Sequence, residues 1–164
     1  MASAELDCDT GQVSEAETLA RTAIDEFRAD READAEIQSE TLLSRSLLKR
    51  GKLEDAQKAL ARALTLSKKS SDVTIRLPLA IQNAYTQAAS KNLPEAERLA
   101  RNAATEAHKL GFVRIELEAS LASGEFQLHG TNPTLGRERL EETERNARSE
   151  GFELIARNAS AAQH

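Results

Sequence analysis

Aromatic residues are nearly missing from this chain: no Trp, one Tyr and four Phe in 164 residues. That scarcity argues against a sandwich or barrel core, which needs large side chains on every inward position. β-Branched strand formers are equally thin, with three Val and six Ile. Seven Gly and three Pro are too few for an all-β chain with many turns. A single cysteine, Cys8, excludes an intramolecular disulfide framework and fits a reducing compartment. No apolar run approaches the roughly 20 residues that span a bilayer, and the start Met-Ala-Ser-Ala-Glu-Leu-Asp lacks a basic-then-apolar signal segment. The expected location is therefore cytoplasmic, with no membrane partner. No basic run interleaved with aromatics supports nucleic-acid binding.

What is present is Ala and Leu, 28 and 21 of them, which build closely approaching helices. The chain is expected to be all-helical. Net charge is a mild -5, unevenly spread. Residues 1–10 carry three acids and no base, whereas residues 51–90 carry six bases against three acids. The basic side chains there, Lys52, Lys58 and Arg62 among them, read as a solvated face or as a surface for an acidic partner.

The organising stretch is Gly51 to Leu66, an Ala/Leu helix opened by a helix-breaking Gly. Its pattern recurs in register. Ala16, Ala56, Ala96 and Gly136 stand 40 residues apart, as do Ser44, Ala84 and Gly124, and the pairs Gly111-Phe112 and Gly151-Phe152. A fixed period of this size marks a repeat array. The apolar spacing predicts about eight helices joined by two- to four-residue loops, which force antiparallel neighbours. Residues 11–164 are read as one repeat domain with junctions near residues 31, 71, 111 and 151. Residues 1–10 are read as a truncated or frayed segment, in register with the tail of a helix whose beginning lies upstream. Ser14 with Glu17 has the spacing of a capping box. Pro78 falls inside a helical pattern and is expected to kink that helix, the alternative being a delayed start. In the last helix Glu153 and Arg157 stand where the preceding repeat has Val113 and Leu117, the polar face of an end cap.

The spacing Gly51-x-Leu53-x-x-Ala56-x-x-x-Leu60-x-x-Ala63, echoed at Ala96, Ala100 and Ala103 and at Gly11, Val13, Ala16, Ala20 and Ala23, resembles the tetratricopeptide family. The resemblance covers nearly the whole chain. It departs from the family in period, 40 rather than 34. It also has Glu40, Leu47, Ala80, Gln87, Ser120 and Gln127 where the family places first-helix Trp and Tyr. It implies an α-α superhelix, a solenoid of about four antiparallel hairpins whose first helices line a concave surface holding a peptide or protein partner. Carried over by register, that surface comprises Gln38, Thr41, Arg45 and Lys49, then Ile81 and Tyr85, then Glu118, Leu121, Glu125 and His129. Tyr85 is either a binding anchor or an amphipathic core residue with its hydroxyl in water. Arg45 and Lys49 either hold a carboxylate or form a solvated pair, and Leu121 is expected in the core. The closing Gly-Phe-Glu-Leu-Ile-Ala-Arg-Asn-Ala resembles the ends of helical-repeat regions attached to large bacterial signalling proteins, serine/threonine kinases and winged-helix regulators among them. That implies a scaffolding tail, with any kinase activity outside this chain. The alternative function is structural, packing or homodimerisation through the terminal faces.

Catalytic signatures are missing from the sequence. It has no Gly-rich phosphate loop, no Gly-x-Ser-x-Gly, no His-Glu-x-x-His and no Cys-x-x-Cys. Glu125 and His129 share a helix face, but two ligands do not close a zinc site. No enzyme, cofactor or metal is expected. Cys8 reads as a plain free thiol or a reactive one.

Overall fold

In a computed structural model of the chain, residues 13–130 and 132–164 are described, and among them only helices and short connections occur. The helices are α1 (Val13–Asp30), α2 (Ala33–Lys49), α3 (Leu53–Ser67), α4 (Val73–Ala89), α5 (Leu93–Leu110), α6 (Val113–Leu128), α7 (Pro133–Ser149) and α8 (Glu153–Ala162). The protein is all-α, and each helix packs on its neighbours in sequence within two compact units. The first unit runs to Gln82 and the second from Asn83, so the boundary falls inside α4. Residues 1–10 with Cys8, and Gly11 of the repeat spacing, lie outside the described residues.

The hairpins turn by one repeated device. Arg31, Gly51, Lys91, Gly111 and Gly151 all have φ between 60° and 80°. In each case the next residue's N–H donates five residues back: Glu32 to the Phe27 carbonyl, Lys52 to Leu47, Asn92 to Gln87, Phe112 to Ala107, Phe152 to Ala147, at 2.8–2.9 Å. This left-handed closure satisfies carbonyls that the helix end would leave bare. Glycine serves it without strain at three positions. Arg31 and Lys91 adopt the same backbone despite their side chains.

The junction at residues 68–72 is the exception in length, five residues where two to four were expected. It ends in Asp72, whose Oδ1 accepts from the Thr74 backbone N–H at 2.8 Å and the Thr74 hydroxyl at 2.7 Å. That cap starts α4 at Val73, upstream of Pro78, so the proline does not delay the helix. α4 runs on through Pro78 to Ala89.

In the first unit, Ala16, Ala20 and Ile24 of α1 meet Leu42, Leu43 and Leu47 of α2 and Ala56 and Ala59 of α3. A second cluster joins Ile37 to Leu60, Ala63, Ile75 and Leu79. Alanine on one helix against leucine on the next lets the axes approach while filling the gap. Each buried Leu contributes about 1.5–3 kcal/mol before entropy is counted. In the second unit Leu117 and Leu121 pack with Leu140, Ala147, Ile155, Ala156 and Ala159. Here α6 and α7 touch through glycine: a Cβ on Gly136 would strike the Leu128 backbone and lie 2.8 Å from the Gly124 carbonyl oxygen. Arg157 and Glu153 of α8 are exposed, as expected of a polar final face.

Buried charge is handled by ion pairs that tie helices together. Glu40, 1 % exposed, is gripped by Arg62 of α3 through Nε at 2.6 Å and Nη2 at 3.0 Å, with Arg28 of α1 at 3.5 Å. Glu17, expected to close a capping box, instead receives Arg21, Arg50 and Lys52. Burial works to raise its pKa, but the three cations outweigh it and hold the carboxyl below its ordinary value.

Candidate functional site

α2 is covered on two flanks. Ile37, Glu40, Ser44 and Leu47 are buried on one, and Ser39, Leu42 and Ser46 on the other. Between them one row keeps contact with solvent: Gln38 and Lys49 exposed, Thr41 and Arg45 half-buried. The spacing of three, four and four residues places all four on one line along the helix. Thr41 spends its hydroxyl on the Ile37 carbonyl at 2.7 Å, so it offers mainly its methyl. The second helix of the same hairpin differs. α3 buries Ala56, Ala59, Leu60 and Ala63 and exposes most of the rest, an ordinary amphipathic surface.

The second unit repeats the arrangement on α6, 80 residues on. Ile115, Leu117, Ala119, Ala122, Ser123, Phe126 and Gln127 are buried. The row in register with that of α2 is Glu118, Leu121, Glu125 and His129. Glu118 is half-buried and receives Arg114 at 2.8 Å. Leu121 is 7 % exposed and belongs to the core, as its apolar character suggests. His129 is exposed and caps α6, its backbone N–H donating to the Glu125 carbonyl at 3.1 Å. Ile81, assigned to the surface by register, is 4 % exposed and offers almost nothing to a ligand.

Tyr85 is half-buried, and its hydroxyl is not left to water: Oη donates to Glu125 Oε2 at 2.9 Å. Its ring meets Phe126 edge-on, centroids 5.3 Å apart and planes at 74°, a favourable quadrupolar contact. Burial pushes the Glu125 carboxyl above its ordinary value, against the pull of the Tyr85 hydrogen bond and of His129. Sequence register brought Tyr85, Glu125 and His129 into one candidate set, and the structure brings Tyr85 and Glu125 into direct contact.

Other polar residues here gave no sequence signal. Gln127, 3 % exposed at a position where the resembled family has an aromatic, donates to Glu97 Oε1 at 2.8 Å, while its own Oε1 has no hydrogen-bond partner. Arg139 donates to Ser123 Oγ at 2.7 Å. These pairs link residues 30 and 16 positions apart, too far for helical spacing to reveal. Among the described residues no group of three or more His, Cys, Asp or Glu is placed to hold a metal ion. No helix among them is long and apolar enough to cross a membrane. No family model matches the chain. No curated protein matches it either.

Proposed function

We propose that this chain is a protein-binding helical-repeat segment of the tetratricopeptide kind, presenting the polar rows of its first helices to a peptide or protein partner. The observation that supports this reading is the burial pattern of α2 and α6. Each is enclosed on two flanks with a row of half-buried or exposed positions between them, broken on α6 by buried Leu121, whereas α3 is open over most of its circumference. A helix enclosed in this way holds its outward side chains on a rigid base, which lowers the entropy lost on binding. The resemblance of the last helix to the ends of bacterial signalling proteins makes a larger bacterial regulator the natural setting, with any enzymatic activity elsewhere in that protein.

The test is a photo-crosslinking amino acid at Gln38, on the α2 row, against the same group at Ala61, exposed on α3. In a bacterial lysate the Gln38 probe should yield a discrete protein adduct that the Ala61 probe does not. Identical adducts from both positions, or none, would remove the proposal. A structural role through the N-terminal face is the second reading. Leu19 on α1 is 39 % exposed, while Ala59 at the same register on α3 is fully buried. Sedimentation of wild type against Leu19→Ser distinguishes it: a concentration-dependent dimer lost in the variant favours packing over partner binding.

A further inference from the structure

Most of the half-buried and buried carboxylates have a cationic partner, and Glu116 has the His108 ring. Glu17, Glu36, Glu40, Glu97 and Glu118 each have an Arg or Lys nitrogen within 4 Å. Among the described residues Glu125 has none. Its one hydrogen-bonded neighbour is the Tyr85 hydroxyl, a neutral donor to Oε2. His129, a turn along the same helix, acts on it only through longer-range attraction. Withdrawing a carboxylate from water without a counter-cation is unfavourable, and such groups cluster at functional sites. The side chains around it suit a cation. Tyr85 brings its aromatic ring to the carboxylate through its hydroxyl, and ring faces attract Arg more than Lys because the guanidinium is planar and weakly hydrated. On α6 the row carries a second acid, Glu118, seven residues before Glu125, its carboxylate receiving Arg114.

We propose that Glu125 and Tyr85 form a receptor for an arginine side chain of the bound partner, the guanidinium pairing with the carboxylate and lying against the tyrosine ring. This rests on the protein-binding reading and names the partner's chemistry at one position. The free Oε1 takes the charge-assisted hydrogen bond, and the Tyr85 hydroxyl holds the carboxylate in place by its bond to Oε2.

The experiment follows backbone amide shifts of the isotope-labelled full chain on adding the acetylated, amidated peptide Ala-Ala-Arg-Ala-Ala-Arg-Ala-Ala. A twin with neutral citrulline at both arginines serves as control. Shifts should concentrate at Tyr85, Glu125, Phe126 and His129 with the arginine peptide and vanish with the twin. Glu125→Gln should raise the apparent Kd at least tenfold with unchanged helical circular dichroism. Equal binding by the citrulline twin or by Glu125→Gln overturns the site. So does spermidine reproducing the same shifts, which would make the ligand a small polyamine. Shifts confined to Gln38, Thr41, Arg45 and Lys49 overturn the arginine receptor while leaving the protein-binding reading intact. No shift anywhere counts against both.

Discussion

Single residues in this protein are asked to do two kinds of work with the same chemistry. Glu17 and Glu40 are buried acids that receive cations from neighbouring helices, Arg50 and Lys52 for one and Arg62 for the other. They fix how those helices sit. Glu125 is a half-buried acid with only a tyrosine hydroxyl, and burial raises its pKa. A raised carboxyl contributes stability below its unfolded pKa and loses it as pH rises through the folded value. Ionised Glu125 is therefore a burden at neutral pH. Glu125→Gln, which keeps the shape and an acceptor for Tyr85, should raise the melting temperature at pH 7 by about 1–3 °C. It should leave the temperature unchanged at pH 4, where both side chains are neutral. Calorimetry at the two pH values checks this. A variant that is more stable yet loses arginine-peptide binding is what a functional carboxylate produces.

At the scale of the helix and its turn, five connections share one backbone conformation and use glycine at three. A non-glycine residue in the left-handed region carries a penalty of about 1 kcal/mol. Arg31→Gly and Lys91→Gly should each stabilise the protein by about 0.5–1 kcal/mol, the gain being trimmed by the flexibility of glycine in the unfolded chain. In denaturant unfolding the midpoint should move up with the slope unchanged. Gly51→Ala should do the reverse, since its φ is +72° although its Cβ would meet nothing within 4 Å. That contrast separates backbone strain from crowding. Gly136 is the opposite case, a glycine whose space rather than dihedral is spoken for by Leu128 and Gly124.

Over the whole molecule the depressed carboxyl of Glu17 sets one response to acid. A lowered pKa means stability present above the unfolded value of 4.5 and lost as pH falls through the folded one. Thermal stability should therefore decline below about pH 4.5, and Glu17→Gln, already weakened at pH 7, should show a shallower decline. A parallel decline in both proteins would assign the acid sensitivity elsewhere.

Much of this was legible in the chain itself. The 40-residue recurrence of Ala16, Ala56, Ala96 and Gly136, with leucines at helical spacing, predicted the helices, their order and nearly every turn, because period and apolar pattern are local properties. Register also put Tyr85, Glu125 and His129 in one candidate set, two of which the structure brings into contact. Arg31 and Lys91 were silent, since nothing in their chemistry announces a left-handed backbone that the neighbouring helices impose. The reassignment of Glu17 from cap to ion-pair centre was silent too, because its partners Arg50 and Lys52 lie more than 30 residues away. The burial of Ile81 and the solitary state of Glu125 likewise follow from what packs around them. Sequence alone determined the helices and the faces they carry. Which polar groups found partners, and that Glu125 met a tyrosine hydroxyl rather than a cation, only tertiary packing decided, because that depends on distances between residues far apart along the chain.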